Sequence, residues 1–281
     1  RHLADRINVL QRGIVAATRV FKILDTDERV NSNGNLILNE VKGAVCFKQV
    51  NFSYKEGEPV LRNINFEIEA GKTLALVGAT GAGKSSIVNL LLRYYNIDSG
   101  TILLDGQDIS KYQLKSLRTK LALVLQDVFL FSDSIYKNIV LDKDIPLAEV
   151  KEAAQAIGLE EFIEQLPGGY NYNVRERGVM LSAGQRQLIA FLRAYVSNPS
   201  VLILDEATSS VDSHTEELIQ KATEKLTQGR TSIVIAHRLA TIQNANKILV
   251  MEQGEIVESG THAELIALKG YYSKLFALQF N

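Results

Sequence analysis

The sequence predicts an α/β domain: a mainly parallel sheet between helices, with an antiparallel β part and an inserted helical part. Three observations carry this expectation. Thr73-Leu74-Ala75-Leu76-Val77, residues 121–125, Val201-Leu202-Ile203-Leu204 and Ser232-Ile233-Val234-Ile235 are short, almost continuous apolar runs, as strands covered on both faces require. Helical patterns separate these runs, and that alternation gives a parallel sheet. The pairs Asp105-Gly106 and Gln253-Gly254 each lie between strand-like segments and mark antiparallel hairpins.

Taken in chain order, the first element is a helix. Ile7, Leu10, Ile14, Ala17, Phe21 and Leu24 recur at spacings of three and four, which places them on one stripe. That stripe faces either the chain's own core or a helical partner. Asp25-Thr26-Asp27 and the polar stretch 31–35, with Gly34, end it. From Val45 the period changes to two: Val50, Phe52 and Tyr54 alternate, then Ile64, Phe66 and Ile68, with Gly57-Glu58-Pro59 between them. A glycine-rich turn follows Val77, and residues 87–95 read as a helix. Ile102-Leu103-Leu104 leads into the first hairpin turn. Residues 134–165 read as several short helices, one opening near Pro146, and residues 188–195 as another, reaching Asn198-Pro199. Ser213-His214-Thr215-Glu216 and Thr261-His262-Ala263-Glu264 are capping-box patterns, each opening a helix, the second running to the chain's end.

Composition narrows the function classes. Apolar residues make up 46% and charged residues 22%, the balance of an ordinary globular chain. A formal net charge of −1 gives no support to nucleic-acid binding by a basic surface. The single cysteine, Cys46, excludes an intrachain disulfide and fits a buried, unreactive thiol in a reducing compartment. No apolar run approaches the ~18 residues that span a bilayer. The opening Arg1-His2-Leu3-Ala4-Asp5 is not a signal peptide, lacks an initiator Met and enters a helical pattern at once. The expectation is a cut made downstream of a membrane-spanning part.

Gly78-Ala79-Thr80-Gly81-Ala82-Gly83-Lys84-Ser85 fits the phosphate-binding loop pattern, in its required place between a buried strand and a helix. The glycines let the backbone curl until several N–H groups converge on phosphate oxygens, and the helix adds its positive dipole end. Lys84 is expected to reach the β- and γ-phosphates, and the Ser85 hydroxyl to ligate Mg²⁺; Ser86 extends the nucleotide contacts. A buried strand then delivers Asp205 and Glu206 to the carboxyl edge of the sheet, where open α/β proteins bind ligands. Asp205 suits a water-mediated Mg²⁺ contact, and Glu206 the polarisation of an attacking water. The core is therefore expected to be that of a phosphate-loop nucleotide hydrolase.

Leu181-Ser182-Ala183-Gly184-Gln185 makes the reading specific. With the loop and the Asp-Glu strand, it resembles the signature of ATP-binding-cassette ATPases, usually Leu-Ser-Gly-Gly-Gln. Alone, such a pentapeptide would be an ordinary N-capped helix. The departure is Ala183, which keeps its N–H and is harmless unless the position needs a positive φ. The resemblance runs from about Val45 to Asn281. It implies that Tyr54 stacks on adenine, that Gln126 contacts Mg²⁺ and the attacking water, and that His237 hydrogen-bonds the γ-phosphate. Thr208-Ser209-Ser210-Val211-Asp212 corresponds to a loop crossing a dimer interface. Ser182, Ala183, Gly184 and Gln185 would act in trans, on ATP held by the phosphate loop of a second such domain. Arg175-Glu176-Arg177-Gly178 resembles the exporter segment Gly-Glu-Arg-Gly that meets the intracellular loops of the membrane domain, with Arg175 in place of the first glycine.

The implied protein is the Mg-ATP-hydrolysing motor of an exporter, at the cytoplasmic face of the inner membrane. Its expected partners are a second nucleotide-binding domain and the transmembrane domain of the same transporter. Residues 1–40 would be the end of the last transmembrane helix and a linker, and 41–281 the ATPase, with its helical subdomain at about 134–185. Chromosome-maintenance ATPases with this signature interpose a long coiled coil, for which Lys84 and Ser182 lie too close. Translation-factor ATPases carry two cassettes, importer motors would lack the first helix, and a regulatory domain without turnover would not need Glu206 and His237.

Overall fold

The computed structural model describes residues 2–26, 34–205, 212–236 and 239–280. It divides into two compact units, one within residues 1–32 and the other within residues 33–281. The first contains helix α1 (His2–Asp25), on which Ile7, Leu10, Ile14, Phe21 and Leu24 are all exposed. Among the described residues, no helix is long and apolar enough to cross a membrane.

The second unit opens with β1 (Val45–Ser53), β2 (Pro59–Ile68) and β3 (Thr73–Gly78), followed by α2 (Lys84–Leu91), β4 (Ser99–Leu104), β5 (Gln107–Asp108), α3 (Leu114–Thr119) and β6 (Leu121–Val124). Next come the helices α4 (Ile135–Val140), α5 (Leu147–Ala156), α6 (Glu160–Glu164) and α7 (Ala183–Val196). The chain returns with β7 (Val201–Asp205), α8 (Ser213–Thr227), β8 (Thr231–Ile235), α9 (Leu239–Asn244), β9 (Lys247–Glu252), β10 (Glu255–Gly260), α10 (His262–Leu268) and α11 (Tyr271–Phe280).

Two sheets result. One runs β2-β1-β4-β5 and is antiparallel. The other runs β10-β9-β3-β8-β7-β6, parallel from β9 to β6, with β10 antiparallel at its edge. The α/β class, the mainly parallel sheet and the antiparallel part are as the sequence predicts. Strand periodicity explains how one sheet carries two cores. Leu74 and Leu76 of β3 join Ile203, Ile233 and Ile235 in the core beneath the antiparallel sheet and α2. Their neighbours Ala75 and Val77 join Leu202, Leu204 and Val234 in the other core, under α4, α5 and α7. Every second residue thus serves one face, which is why these strands carry almost no polar residue.

Both hairpin turns are built by paired positive φ values, as two-residue turns of this kind require: Asp105 at 50° with Gly106 at 81°, and Gln253 at 46° with Gly254 at 83°. Asp105 also accepts from the N–H groups of Lys42 (2.7 Å) and Ala44 (2.8 Å), fixing the approach to β1.

Three expectations need correction. The helix expected over 87–95 is α2, which starts at the phosphate loop and stops at Leu91. Beyond it Arg93 turns to φ 51° and, only 6% exposed, donates through its guanidinium to the carbonyls of Ile109 (3.0 Å) and Tyr112 (2.7 Å). Long-range contacts there override a helical pattern. The capper of α8 is Asp212, which accepts from Thr215 N–H at 2.9 Å, and not Ser213. The last helix is two. Lys269 in the left-handed conformation closes α10, and the Glu258 carboxylate receives the N–H groups of Tyr271 and Tyr272 at the start of α11. The second capping box, Thr261 with Glu264, is formed in both directions.

Arg175 departs from ordinary backbone geometry, at φ 61° and ψ −173°, a region occupied almost only by glycine. Its side chain is exposed. Arg175→Gly should relieve ~1–3 kcal/mol of strain against ~0.5–1 kcal/mol of added unfolded-state freedom. The expected result is a higher urea midpoint at unchanged slope, with no gain for Arg175→Ala. A midpoint that does not move would show that the turn is unstrained.

Candidate functional site

The site is assembled at the carboxyl edge of the parallel sheet. β3 ends at Gly78 and α2 begins at Lys84. Two glycines show that the ends of the loop between them have no room for a side chain. At Gly78, φ is 155° and a Cβ would collide with the Met251 carbonyl of the neighbouring strand. At Gly83, φ is 101° and a Cβ would lie 2.6 Å from Leu61 Cδ2. The loop is thus pressed between β9 and β2, while Ala79, Thr80 and Gly81 remain exposed at its crest and Ala82 is buried. Ala82 N–H donates to the Ala79 carbonyl at 3.1 Å, closing the curl.

Lys84 is 8% exposed, and its Nζ donates to the carbonyls of Gly78 (2.6 Å) and Ala79 (2.9 Å). Burial pulls its pKa down, and the nearby Asp205 carboxylate pulls it back up. Strand register accounts for that proximity. Asp205 pairs with Ile235 of β8, which pairs in turn with Leu76 of β3, two residues below Gly78. On the other side of β7, Val124 pairs with Leu204, so Gln126, two residues past Val124 and exposed, leaves the sheet at the same edge.

Ser85 is exposed in the first turn of α2, and Ser86 is buried behind it. The first-turn N–H groups of a helix lack the usual acceptor one turn back. In α2 those of Ser86 and Ile87 are taken by the Gly83 carbonyl (3.1 Å and 3.2 Å), which leaves Lys84 and Ser85 as its donors at the loop. Tyr54 stands just past β1, 46% exposed, with its hydroxyl 3.1 Å from Ser86 Oγ. The loop with Lys84, Ser85 and Ser86, together with Tyr54, Asp205 and Gln126, therefore forms one locus. This set fits a nucleoside triphosphate with Mg²⁺: converging N–H donors and an ammonium for phosphate, and hydroxyl, carboxylate and amide oxygens for a hard cation. Glu206, His237 and residues 208–211 lie outside the described residues.

A family model for the ABC transporter matches residues 61–209, from β2 through the loop and the Ser182 pentapeptide to just beyond Asp205. The chain belongs to the ABC transporter family. This cassette is 49% identical over 274 residues to the ATP-dependent lipid A-core flippase of Idiomarina loihiensis, covering 96% of the chain and 47% of that protein. It is 46% identical over 274 residues to a fatty acid ABC transporter ATP-binding/permease protein of Mycobacterium bovis, covering 97% of the chain and 43% of that protein. The chain thus spans less than half the length of these relatives. Among solved structures, a bacterial Atm1-family ABC exporter with ATP bound superposes with a TM-score of 0.84 at 39% identity, over 98% of this chain and 49% of that one.

In the ABC cassette, the pentapeptide opens α7, which packs on the face of the parallel sheet opposite α2. Ser182 is the N-cap of α7: its Oγ accepts from Gln185 N–H at 3.2 Å, and Gln185 Oε1 accepts from Ser182 N–H at 2.9 Å. These bonds stay within the first turn, and Ser182 and Ala183 are exposed, with Gly184 buried below them. Ala183 begins the helix and has no positive φ, so its methyl group costs the backbone nothing. The sequence reading missed two neighbours of Tyr54. Asn89 Nδ2 donates to the Tyr54 hydroxyl at 3.2 Å, and the Tyr95 ring meets the Tyr54 ring edge to face at 4.9 Å. Ser86 and Asn89, one turn apart on α2, share a helix face, and that spacing was the available signal.

Proposed function

We propose that the chain is the ATP-hydrolysing motor of an ABC exporter and works as a head-to-tail pair around two ATP molecules. The observation that carries this is the layering of the cassette, with α2 and α7 packed on opposite faces of the parallel sheet. One sheet edge gathers a phosphate loop with Lys84 and Asp205, while the exposed Ser182 at the start of α7 is bonded only within its own turn. A second copy facing the first would bring Ser182, Ala183, Gly184 and Gln185 to its partner's γ-phosphate, with the Ser182 O–H still free to donate.

Mg²⁺ would be held by Ser85, Gln126 and, through water, Asp205; when bound it neutralises phosphate charge. Tyr54 stacks on adenine. Lys84 holds the β- and γ-phosphates, and His237 the γ-phosphate. Glu206 accepts a proton from water as its oxygen bonds to the γ-phosphorus; the bond to the bridging oxygen breaks, and ADP leaves.

Relatives named as ATP-binding/permease proteins support association with a membrane domain. On our reading the motor works at the cytoplasmic face of the inner membrane, beside the transmembrane domain of the same transporter. A groove of about 780 Å³ would receive that domain; its lining includes the exposed Leu125, Phe129, Phe131 and Leu141 together with Arg118 and Arg193. Exposed apolar surface in such a groove fits a protein partner.

Glu206→Gln tests the chemistry. It should bind ATP, lose turnover by on the order of 10²–10⁴-fold as a missing general base does, and accumulate as an ATP-bound dimer on a sizing column. Hydrolysis at the wild-type rate would assign the base elsewhere.

A further inference from the structure

Tyr54 is held by more contacts than a half-exposed strand-end tyrosine needs. Its hydroxyl lies 3.1 Å from Ser86 Oγ and receives Asn89 Nδ2–H at 3.2 Å, both from α2. Its ring is met edge to face by Phe52 (4.7 Å, 79°) and by Tyr95 (4.9 Å, 86°). Phe52 and Tyr95 also approach one another, at 5.8 Å. Phe52 belongs to β1 of the antiparallel sheet, whereas Ser86 and Asn89 belong to the helix that starts at the phosphate loop.

We propose that Asn89, with Ser86 and Tyr95, is a positioning residue that fixes the Tyr54 ring for the base of a bound nucleotide and ties base recognition to the phosphate-loop helix. The inference rests on the nucleotide-binding reading of the site. A tyrosine has two main side-chain torsions, and an exposed ring samples several rotamers. Stacking a base on such a ring costs ordering entropy, and a ring already held does not incur that cost on binding. Edge-to-face contacts restrain its tilt, and the two polar partners restrain the position of its hydroxyl. Both partners come from α2, so the distance from base to phosphate is set by one rigid helix and one strand end.

The test compares ATP with inorganic tripolyphosphate, which has phosphates and no base, in calorimetric titrations with Mg²⁺. Losing one such hydrogen bond is worth about threefold to tenfold in affinity. Asn89→Ala and Tyr54→Phe should each weaken ATP by that factor and leave tripolyphosphate unchanged. The double variant should bind ATP no more weakly than either single one, because both remove the same restraint. In steady state, Asn89→Ala should raise KM while kcat stays within about twofold, since stacking is equal in ground and transition states. Equal losses for ATP and tripolyphosphate would place the defect in the loop and overturn the proposal, as would full additivity or unchanged ATP affinity in both variants. Tyr54→Phe keeps the ring and its packing, so the comparison stands even if Asn89→Ala folds poorly. Wild-type chain that binds neither ligand would instead overturn the nucleotide-binding reading itself.

Discussion

Replacing Lys84 with alanine is expected to lower kcat/KM for ATP by on the order of 10²–10³-fold or more, the cost of removing one fixed donor from a charge-stabilising site. The argument starts from position. Lys84 Nζ is buried and held 2.6 Å and 2.9 Å from two loop carbonyls, which fixes the ammonium at the loop. Burial disfavours its charge and holds its pKa below the usual lysine value, with the Asp205 carboxylate offsetting part of that. No second lysine or arginine belongs to the loop, so nothing local replaces the lost charge. Arginine is no substitute, because a planar fork cannot follow the same short path to the two carbonyls. Radiolabelled phosphate release at saturating and at low ATP measures the effect. Wild-type kcat/KM in Lys84→Ala, with an unchanged urea midpoint, would remove the phosphate loop from the reaction.

The fold was legible wherever burial leaves a one-dimensional trace. Strands covered on both faces carry few polar residues, so Thr73–Gly78 and Val201–Asp205 announced themselves. Asp105-Gly106 was legible because few residue pairs tolerate two successive positive φ values. What was not legible depends on contacts distant in sequence. Nothing near Arg93 shows that its guanidinium will satisfy the carbonyls of Ile109 and Tyr112 and stop the helix early. Choosing between Asp212 and Ser213 as a cap is a contest between two good acceptors one residue apart, decided by which one meets Thr215 N–H.

The site divides in the same way. The phosphate loop, Asp205 and Ser182 sit in contiguous motifs whose spacing is set by local geometry, so the sequence names them. The alignment of Asp205 with Leu76 through Ile235 is a property of strand register, and no local pattern encodes it. Asn89 and Tyr95 act on Tyr54 across more than thirty residues of chain, and only the folded arrangement puts them together. Ala183 is the reverse case: a departure in sequence that the helix absorbs, because its first residue needs no positive φ.

Ser182→Arg should be nearly inactive by itself and should recover activity when mixed with inactive Lys84→Ala. In a head-to-tail pair each ATP meets the phosphate loop of one chain and Ser182 of the other. A Ser182→Arg homodimer places a bulky cation at both γ-phosphate contacts, and a Lys84→Ala homodimer lacks the lysine in both loops. A mixed pair contains one site with an intact loop facing an intact Ser182, and a second site with both defects. With equal amounts and random pairing, half the dimers are mixed, so roughly a quarter of the wild-type rate should return if the two sites act independently. Ser182 also caps α7, and losing that cap costs ~1 kcal/mol. A thermal melt within a few degrees of wild type therefore accompanies the assay, and Ser182→Thr, which keeps the cap and the hydroxyl, should remain active. For residues 1–281 expressed alone, specific activity should climb with protein concentration, as an untethered pair requires. Activity per molecule that is flat over a hundredfold dilution, with no recovery on mixing, would mean that each chain completes its own site, and Ser182 would then be only the cap of its helix.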